Sequence, residues 1–391
     1  MQEAQNKPKV LFIASNIPTP KRESNKVVMT IAHKLSTQFD ISVLHPAEFA
    51  PFPISLMKKY KNIMGRHSWE DDGIVIRPIK YVRLIGNKNA FRLMPSCERK
   101  IKRFVQQYGI PQLVHAHYAL PDGYLAYLIN KIYHVPYIIS FRKTDINFLH
   151  LPKESSTRKL MDEVLTHAQR IIVHNTAQQE DLSNHGFESI LMAHGIEESF
   201  IKPKEPTNST NNIAIATIGE LIPQKHIDWV VKAVLDYKGN KSLTLKIAGE
   251  GALRPALEAQ AHNADNIQLL GKISHDKIDK LLCQTEIFAL PSANETFGLV
   301  YLEAAAHQNA VIATKGTGIW GHFTDGEEAL YCDSYPSFQE MLYKLIEDDD
   351  YRNQMAFKAF IKTRESFIWR AVIDQYDSLY RSLLTASDSI K

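Results

Sequence analysis

Short runs of apolar, largely β-branched residues alternate with longer stretches of helical periodicity, and this alternation restricts the chain to few architectures. One series of runs occupies residues 10–14, 41–44, 74–79, 113–117, 137–141 and 171–174, and a second occupies 213–218, 243–248, 267–270, 287–290 and 311–313. Strand and helix alternating in this way predict a parallel sheet with helices on its faces, once per series. A single hydrophobic core rarely grows past ~250–300 residues, so 391 residues also favour two domains. The segment KPKEPTNSTNN, residues 202–212, is polar, carries two prolines and has no hydrophobic period. It reads as a linker, which puts a first Rossmann-like domain at 1–201 and a second at 213–366. Residues 367–385 read as a terminal helix, expected to pack back on the first domain.

Charge is divided unevenly. The formal net charge is +3, but residues 1–200 carry +8 and residues 201–391 carry −5. The basic half suggests an anionic partner, either a membrane surface or a polyanion. Residues 52–64, FPISLMKKYKNIM, place Leu56, Met57, Tyr60, Ile63 and Met64 on one helical face beside Lys58, Lys59 and Lys61. Such a helix either lies on anionic lipid or packs on its own domain with solvated lysines. Cys97, Cys283 and Cys332 are too few and too far apart for a disulfide framework, which points to a reducing compartment. No run approaches the ~20 apolar residues of a spanning helix, and MQEAQNKPK has no signal-peptide core. A cytoplasmic protein, peripheral on the inner face of the plasma membrane, is the expectation.

The most informative segment is ALPSANETFGLVYLEAAAHQNAVIATKGTGIWG, residues 289–321. A strand ends near Pro291, a loop carries Glu295, and a helix starts near Phe297 and Gly298. Free amides and the positive end of a helix at a sheet's carboxyl edge suit a phosphate group, and Gly298 lets backbone approach closely. Glu303, eight residues after Glu295, is placed to accept hydrogen bonds from the vicinal hydroxyls of a ribose.

The stretch PSANETFGLVYLEAAA resembles the E-x7-E signature of retaining glycosyltransferases of family 4, which have the GT-B fold. That resemblance implies two doubly wound α/β domains facing across a cleft. It also implies that Glu295 contacts donor-sugar hydroxyls, that the amides of Phe297, Gly298 and Leu299 face a diphosphate, and that Glu303 holds the ribose. LKIAGEGAL, residues 245–253, is similar to the family's strand and Gly-x-Gly turn, which assigns Gly249 to the donor site. Ile273 stands where the nucleobase pocket usually forms. GELIPQK, residues 219–225, resembles the diphosphate-binding loop, with Lys225 as its lysine; Glu295 and Lys225 are the candidate catalytic residues.

In the first half LVHAHYALPDG, residues 113–123, is similar to the acceptor-side segment, with His117 near the acceptor. His115 and His117 point the same way on a strand, a spacing that would suit a metal pair, but no third ligand is in view and no metal site is expected. His194 and Gly195 resemble a structural turn of the family. Where members commonly read His-Gly-x-Asp, this chain reads Arg142, Lys143, Thr144, Asp145, so Arg142 is assigned to phosphate or acceptor and Asp145 to the acceptor side. Glu220 stands where many members have an arginine. Residues 20–25 replace the family's paired glycines, and Gln308 and Ala310 replace a Gly and a Pro.

These residues imply a transferase that stabilises a leaving diphosphate with preorganised donors and needs no cofactor or metal. The expected donor is a nucleotide-sugar, namely a UDP-sugar, and the acceptor a glycan or lipid-linked molecule in cell-surface polysaccharide or glycoconjugate synthesis. No nucleic-acid partner is expected. The alternative within the same fold is a non-catalytic nucleotide-sugar-binding subunit, motivated by Arg142, Lys143 and Glu220. A dinucleotide-dependent oxidoreductase fails because residues 14–25 contain no G-x-G-x-x-G.

Overall fold

A computed structural model describes residues 7–20, 26–49, 67–82, 95–204 and 211–388. The basic segment 52–64, residues 21–25 and residues 205–210 of the expected linker lie outside the described residues. By its contacts the chain divides into one unit of Met1–Val173, Gln178–Leu191 and Ile373–Lys391, and a second of His174–Ala177 and Met192–Val372.

The first unit is built on a sheet of β1 (Lys9–Ile13), β2 (Asp40–Phe49), β3 (Trp69–Asp71), β4 (Ile74–Val82), β5 (Leu113–Ala116), β6 (Tyr137–Ser140), β7 (Arg170–Val173) and β8 (Ile190–Leu191), in the order β3-β4-β2-β1-β5-β6-β7-β8. All pairings are parallel except β3 with β4. Glu70 and Asp71 lie in the short antiparallel edge strand β3. Its hairpin is closed by Asp72 and Gly73, both at positive φ (43° and 81°), the conformation a two-residue hairpin turn requires. Val10–Ala14 and Leu113–His117 are buried throughout, as strands covered on both faces must be.

The second unit carries β9 (Asn212–Ile218), β10 (Ser242–Ala248), β11 (Ile267–Gly271), β12 (Ile287–Ala289), β13 (Ala310–Thr314) and β14 (Leu330–Cys332), ordered β11-β10-β9-β12-β13-β14 and parallel throughout. In both sheets the order reverses beside the first strand. Ligands of open α/β sheets bind at that switch point, outside the carboxyl ends of the strands. It falls between β1 and β5 in the first unit and between β9 and β12 in the second.

The chain joins the second unit at Met192, ahead of the segment read as linker. Ile196 bridges Ile368, and the Lys202 amide donates to the Ala306 carbonyl at 2.9 Å, so residues 192–204 already belong to that unit's packing. The last helix, Trp369–Asp388, starts in the second unit, and from Ile373 onward it belongs to the first. There Tyr376 and Tyr380 are fully buried, and Tyr380 packs edge-on against Phe39 with ring centroids 5.3 Å apart.

Candidate functional site

At the second unit's switch point, the loops after β9 and β12 are laced together. The Ala293 amide donates to the Gln224 carbonyl (2.8 Å), and the Gly219 amide to that of Ala248 (3.0 Å). Gly249 makes this approach possible: it sits at φ +147°, and a Cβ there would stand 1.8 Å from the Gly219 carbonyl oxygen. The turn Pro223–Lys225 delivers the Lys225 ammonium to the Glu295 carboxylate, and the two form an ion pair. Their side chains are only 16% and 15% exposed. Glu295 is held from the other side by Thr317, whose hydroxyl accepts from the Glu295 amide and donates to its carbonyl, both at 2.8 Å.

Gly298 precedes the helix Leu299–Ala306 at φ +78° and ψ 71°. With no side chain, it cannot cap the helix, and the amides of Leu299 and Val300 have no side-chain partner from it. A Cβ on it would meet the Tyr301 ring at 2.5 Å, and that ring is fixed because Tyr301 is buried and donates to the Leu290 carbonyl at 2.8 Å. Phe297 is buried edge-on between His194 (5.0 Å) and His322 (5.1 Å). It therefore contributes backbone rather than ring to the loop, while Leu299 is half-buried.

Glu303 is the one charged residue of this helix and stands about 6 Å along the axis from Leu299. Its side chain is 13% exposed and lies 3.5 Å from His275 Nε2. Burial raises its pKa above the ordinary glutamate value, and His275 offsets part of that rise. Ile273 is half-buried in the loop after β11, two residues from His275, and Glu220 is exposed. Lys225, Gly249, Glu295, Phe297, Gly298, Leu299 and Glu303 thus belong to one sheet edge. It can bind an anion by amides and an ammonium, and hydroxyls by two carboxylates.

The first unit gathers its own polar cluster at the β1–β5 switch point. Asp145 lies in the first turn of the helix Lys143–Leu149, and its Oδ2 accepts from the amides of Arg142 (2.8 Å) and Ala119 (3.1 Å). Asp122 Oδ2 accepts from the Ser15 amide at 3.1 Å. These two buried carboxylates tie the loops after β1, β5 and β6 to one another. Burial raises the pKa of both, Asp145 to about 7, and draws that of the buried Arg142 down. His117 is buried against Phe12 (4.8 Å) and His115 (4.1 Å). His115 engages Tyr380 Oη through Nδ1 (2.6 Å) and Ser140 Oγ through Nε2 (2.8 Å), so neither nitrogen is left for the metal pair its spacing suggested. Gly195 is structural, since a Cβ there would meet Trp369 at 2.5 Å.

Sequence reasoning missed Thr317, His275 and Asp122. Asp122 lies inside a segment that was singled out, and its position just past a strand's carboxyl end was the available signal. Thr317 also lies inside the segment 289–321, but 22 residues after Glu295 and past the next strand, and His275 opens a separate helix, so neither carried a local signal.

Comparison with known proteins bears on the family and the fold. The family model for glycosyl transferases group 1 matches residues 197–360, and that for Glycosyltransferase Family 4 matches residues 24–196. The putative teichuronic acid biosynthesis glycosyltransferase TuaC of Bacillus subtilis is 24% identical over 342 residues, 82% of this chain and 85% of that protein. Among solved structures, sucrose-phosphate synthase of Thermosynechococcus elongatus superposes with a TM-score of 0.70 at 16% identity, covering 97% of this chain and 100% of the other. HepE of Anabaena, solved in complex with UDP, gives a TM-score of 0.69 at 15% identity, covering 96% and 100%.

Proposed function

Because the chain belongs to the group 1, family 4 glycosyltransferases and has their GT-B fold, we propose that it moves a hexose or N-acetylhexosamine from a UDP-sugar to a glycan or lipid-linked acceptor. The observation that carries this reading is the convergence of Lys225, Glu295, the open helix start at Gly298 and Glu303 on one sheet edge. UDP as the nucleotide is supported by HepE, which was solved with it. Synthesis of a cell-surface polysaccharide or glycoconjugate is the setting suggested by the name of TuaC, a putative teichuronic acid biosynthesis glycosyltransferase; a cytoplasmic location peripheral to the membrane rests on the sequence alone.

In this reading Glu303 accepts from the ribose hydroxyls, Glu295 from hydroxyls of the sugar, and the helix amides with the Lys225 ammonium receive the diphosphate. As the glycosidic C–O bond breaks, negative charge grows on the leaving phosphate oxygen and positive charge on the sugar ring. Fixed donors stabilise the first without reorganising, and the Glu295 carboxylate lies near the second. Transfer proceeds with retention: the acceptor oxygen bonds to the anomeric carbon on the face the diphosphate leaves, and the acceptor's proton passes to the departing phosphate oxygen. No protein nucleophile and no metal take part, and added Mg2+ or Mn2+ leaves the rate unchanged. His117, Arg142 and Asp145 are assigned in this reading to the acceptor side, although all three are buried and Asp145 is bound to backbone amides.

Thermal shift with nucleotides and nucleotide-sugars tests the donor assignment. UDP raises Tm, and Lys225→Ala weakens UDP binding at least about tenfold, the loss of a charged hydrogen bond worth about 1.5–3 kcal/mol. Stabilisation by GDP compounds in place of UDP compounds would reassign the nucleotide. If neither class acts, and mass spectrometry finds no transfer from any donor to lipid-linked acceptors, the proposal fails.

A further inference from the structure

Away from that sheet edge, three groups of described residues bring imidazole, carboxylate or thiol ligands within 4.8 Å of one another: His33 with Asp71 and Asp72, Asp279 with Cys283 and His307, and His150 with Asp181 and His185. In the second, the Asp279 carboxylate already holds the Lys202 ammonium at 2.5 Å and His307 Nε2 at 2.9 Å, so a cation would have to displace another. In the first, His33 Nε2 is already engaged by the Asp71 carbonyl at 3.0 Å, and Asp72 is exposed at a hairpin turn. In the third, no ammonium among the described residues occupies the carboxylate, and the backbone carbonyl contact at His185 Nδ1 leaves Nε2 of that ring available.

We propose that His150, Asp181 and His185 bind a divalent transition metal of the Zn2+ class. The chain arranges the three without strain. Asp181 lies in the helix Thr176–Asn184, and His185 follows four residues later on the same face. His150 directly follows the helix Lys143–Leu149, its amide donating to the Ile146 carbonyl at 3.0 Å. The backbone before it is pinned because Leu149 is fully buried and the Arg158 guanidinium donates to the Leu149 carbonyl.

The tautomer is right for a ligand. His185 Nδ1 is 2.7 Å from the Asp181 carbonyl oxygen. A carbonyl only accepts, so Nδ1 carries the proton and Nε2 keeps its lone pair, the outer bond that orients metal-binding histidines in general. His150 Nε2 is 2.8 Å from Asp181 Oδ1. A metal bound at Nε2 takes the place of this hydrogen bond, and the neutral imidazole then carries its single proton on Nδ1. The rings of His150 and His185 lie nearly parallel, at 26° with centroids 5.5 Å apart. Zn–N bonds of about 2.0–2.1 Å bring tetrahedral ligands to about 3.3 Å from one another, a closure within side-chain rotation. His150 is 52% exposed, so water reaches the remaining position. Two imidazoles and one carboxylate suit borderline metals and disfavour Mg2+ and Ca2+, which take oxygen ligands. The ion would staple the far end of the helix that begins at Arg142 and Asp145 to the helix Thr176–Asn184.

The test uses the full, tag-free chain, stripped of metal and dialysed against Zn2+, with zinc per chain and the binding isotherm measured. One Zn2+ per chain is expected, unaffected by excess Mg2+, with His150→Ala and Asp181→Asn each weakening it at least about tenfold and Cys283→Ser leaving it unchanged. If His150→Ala also alters the metal-free Tm, His150→Cys decides, since a thiolate keeps a ligand there: retained binding supports the site and lost binding overturns it. A wild type that takes up no zinc, equal binding by His150→Ala, or a loss confined to Cys283→Ser also overturns it.

Discussion

Glu303 shows how a single side chain's surroundings set its chemistry. Desolvation holds its pKa above the ordinary ~4.3 of glutamate, against the pull of His275. The ionised form is the better acceptor for ribose hydroxyls, so UDP affinity should begin to fall, on acidification, at a higher pH than an unperturbed glutamate would give. Glu303→Gln should lower affinity about tenfold at neutral pH and remove that acid limb; titration calorimetry from pH 5 to 8 measures both. At Gly249 the constraint is steric. The 1.8 Å approach to the Gly219 carbonyl and the φ of +147° leave no room for a methyl group. Gly249→Ala should cost about 1–3 kcal/mol in denaturant unfolding and weaken UDP binding with it, because the lysine loop follows Gly219. Glu295 and Glu303 were legible because they share one short loop and helix. Their partners Thr317 and His275 were not, because hydrogen bonds across sequence-distant loops leave no local pattern.

The loops after β1, β5 and β6 act as one element, joined by Asp122 and Asp145. Asp145 has a folded pKa of about 7 against ~3.9 unfolded, so between those values the native state binds the extra proton. Its contribution to stability is full below pH ~4 and is lost as pH rises through about 7; Asp122 acts with the same sign. His115 works oppositely: its folded pKa of about 3 lies below ~6.5, so stability is lost as pH falls below ~6.5. Asp145→Asn keeps an acceptor for both amides and removes the titration. The variant's Tm should fall less than the wild type's, or rise, between pH 5 and 8, a difference on the order of 5 °C by calorimetry. From sequence, the Arg142–Asp145 turn read as a departure from a family pattern. That Asp145 binds backbone amides followed only from the fold, which sets Ala119 beside it.

On the scale of the molecule, the first unit depends on the end of the chain. Tyr380 closes the hydrogen bond to buried His115 and packs on Phe39. Tyr380→Phe leaves a buried imidazole nitrogen without its partner and should cost about 1–3 kcal/mol. Deleting residues 373–391 removes the buried rings of Tyr376 and Tyr380 together. The truncated chain should lose the first unit's unfolding transition in calorimetry while UDP still stabilises the second unit. Retention of both transitions would show that the last helix is dispensable.

The alternation of apolar runs and helical segments was enough to specify two parallel sheets, because each run's burial is encoded in its own residues. The loop-and-helix motif 295–303 was equally local, and so was Lys225. What remained hidden was which distant groups meet: His115 with Tyr380, Glu303 with His275, Asp145 with Ala119, His150 with Asp181. Such pairs form only when strand order and helix packing bring separate loops to one edge, and the energy that selects them comes from desolvation and hydrogen bonding in three dimensions, for which adjacent residues hold no record.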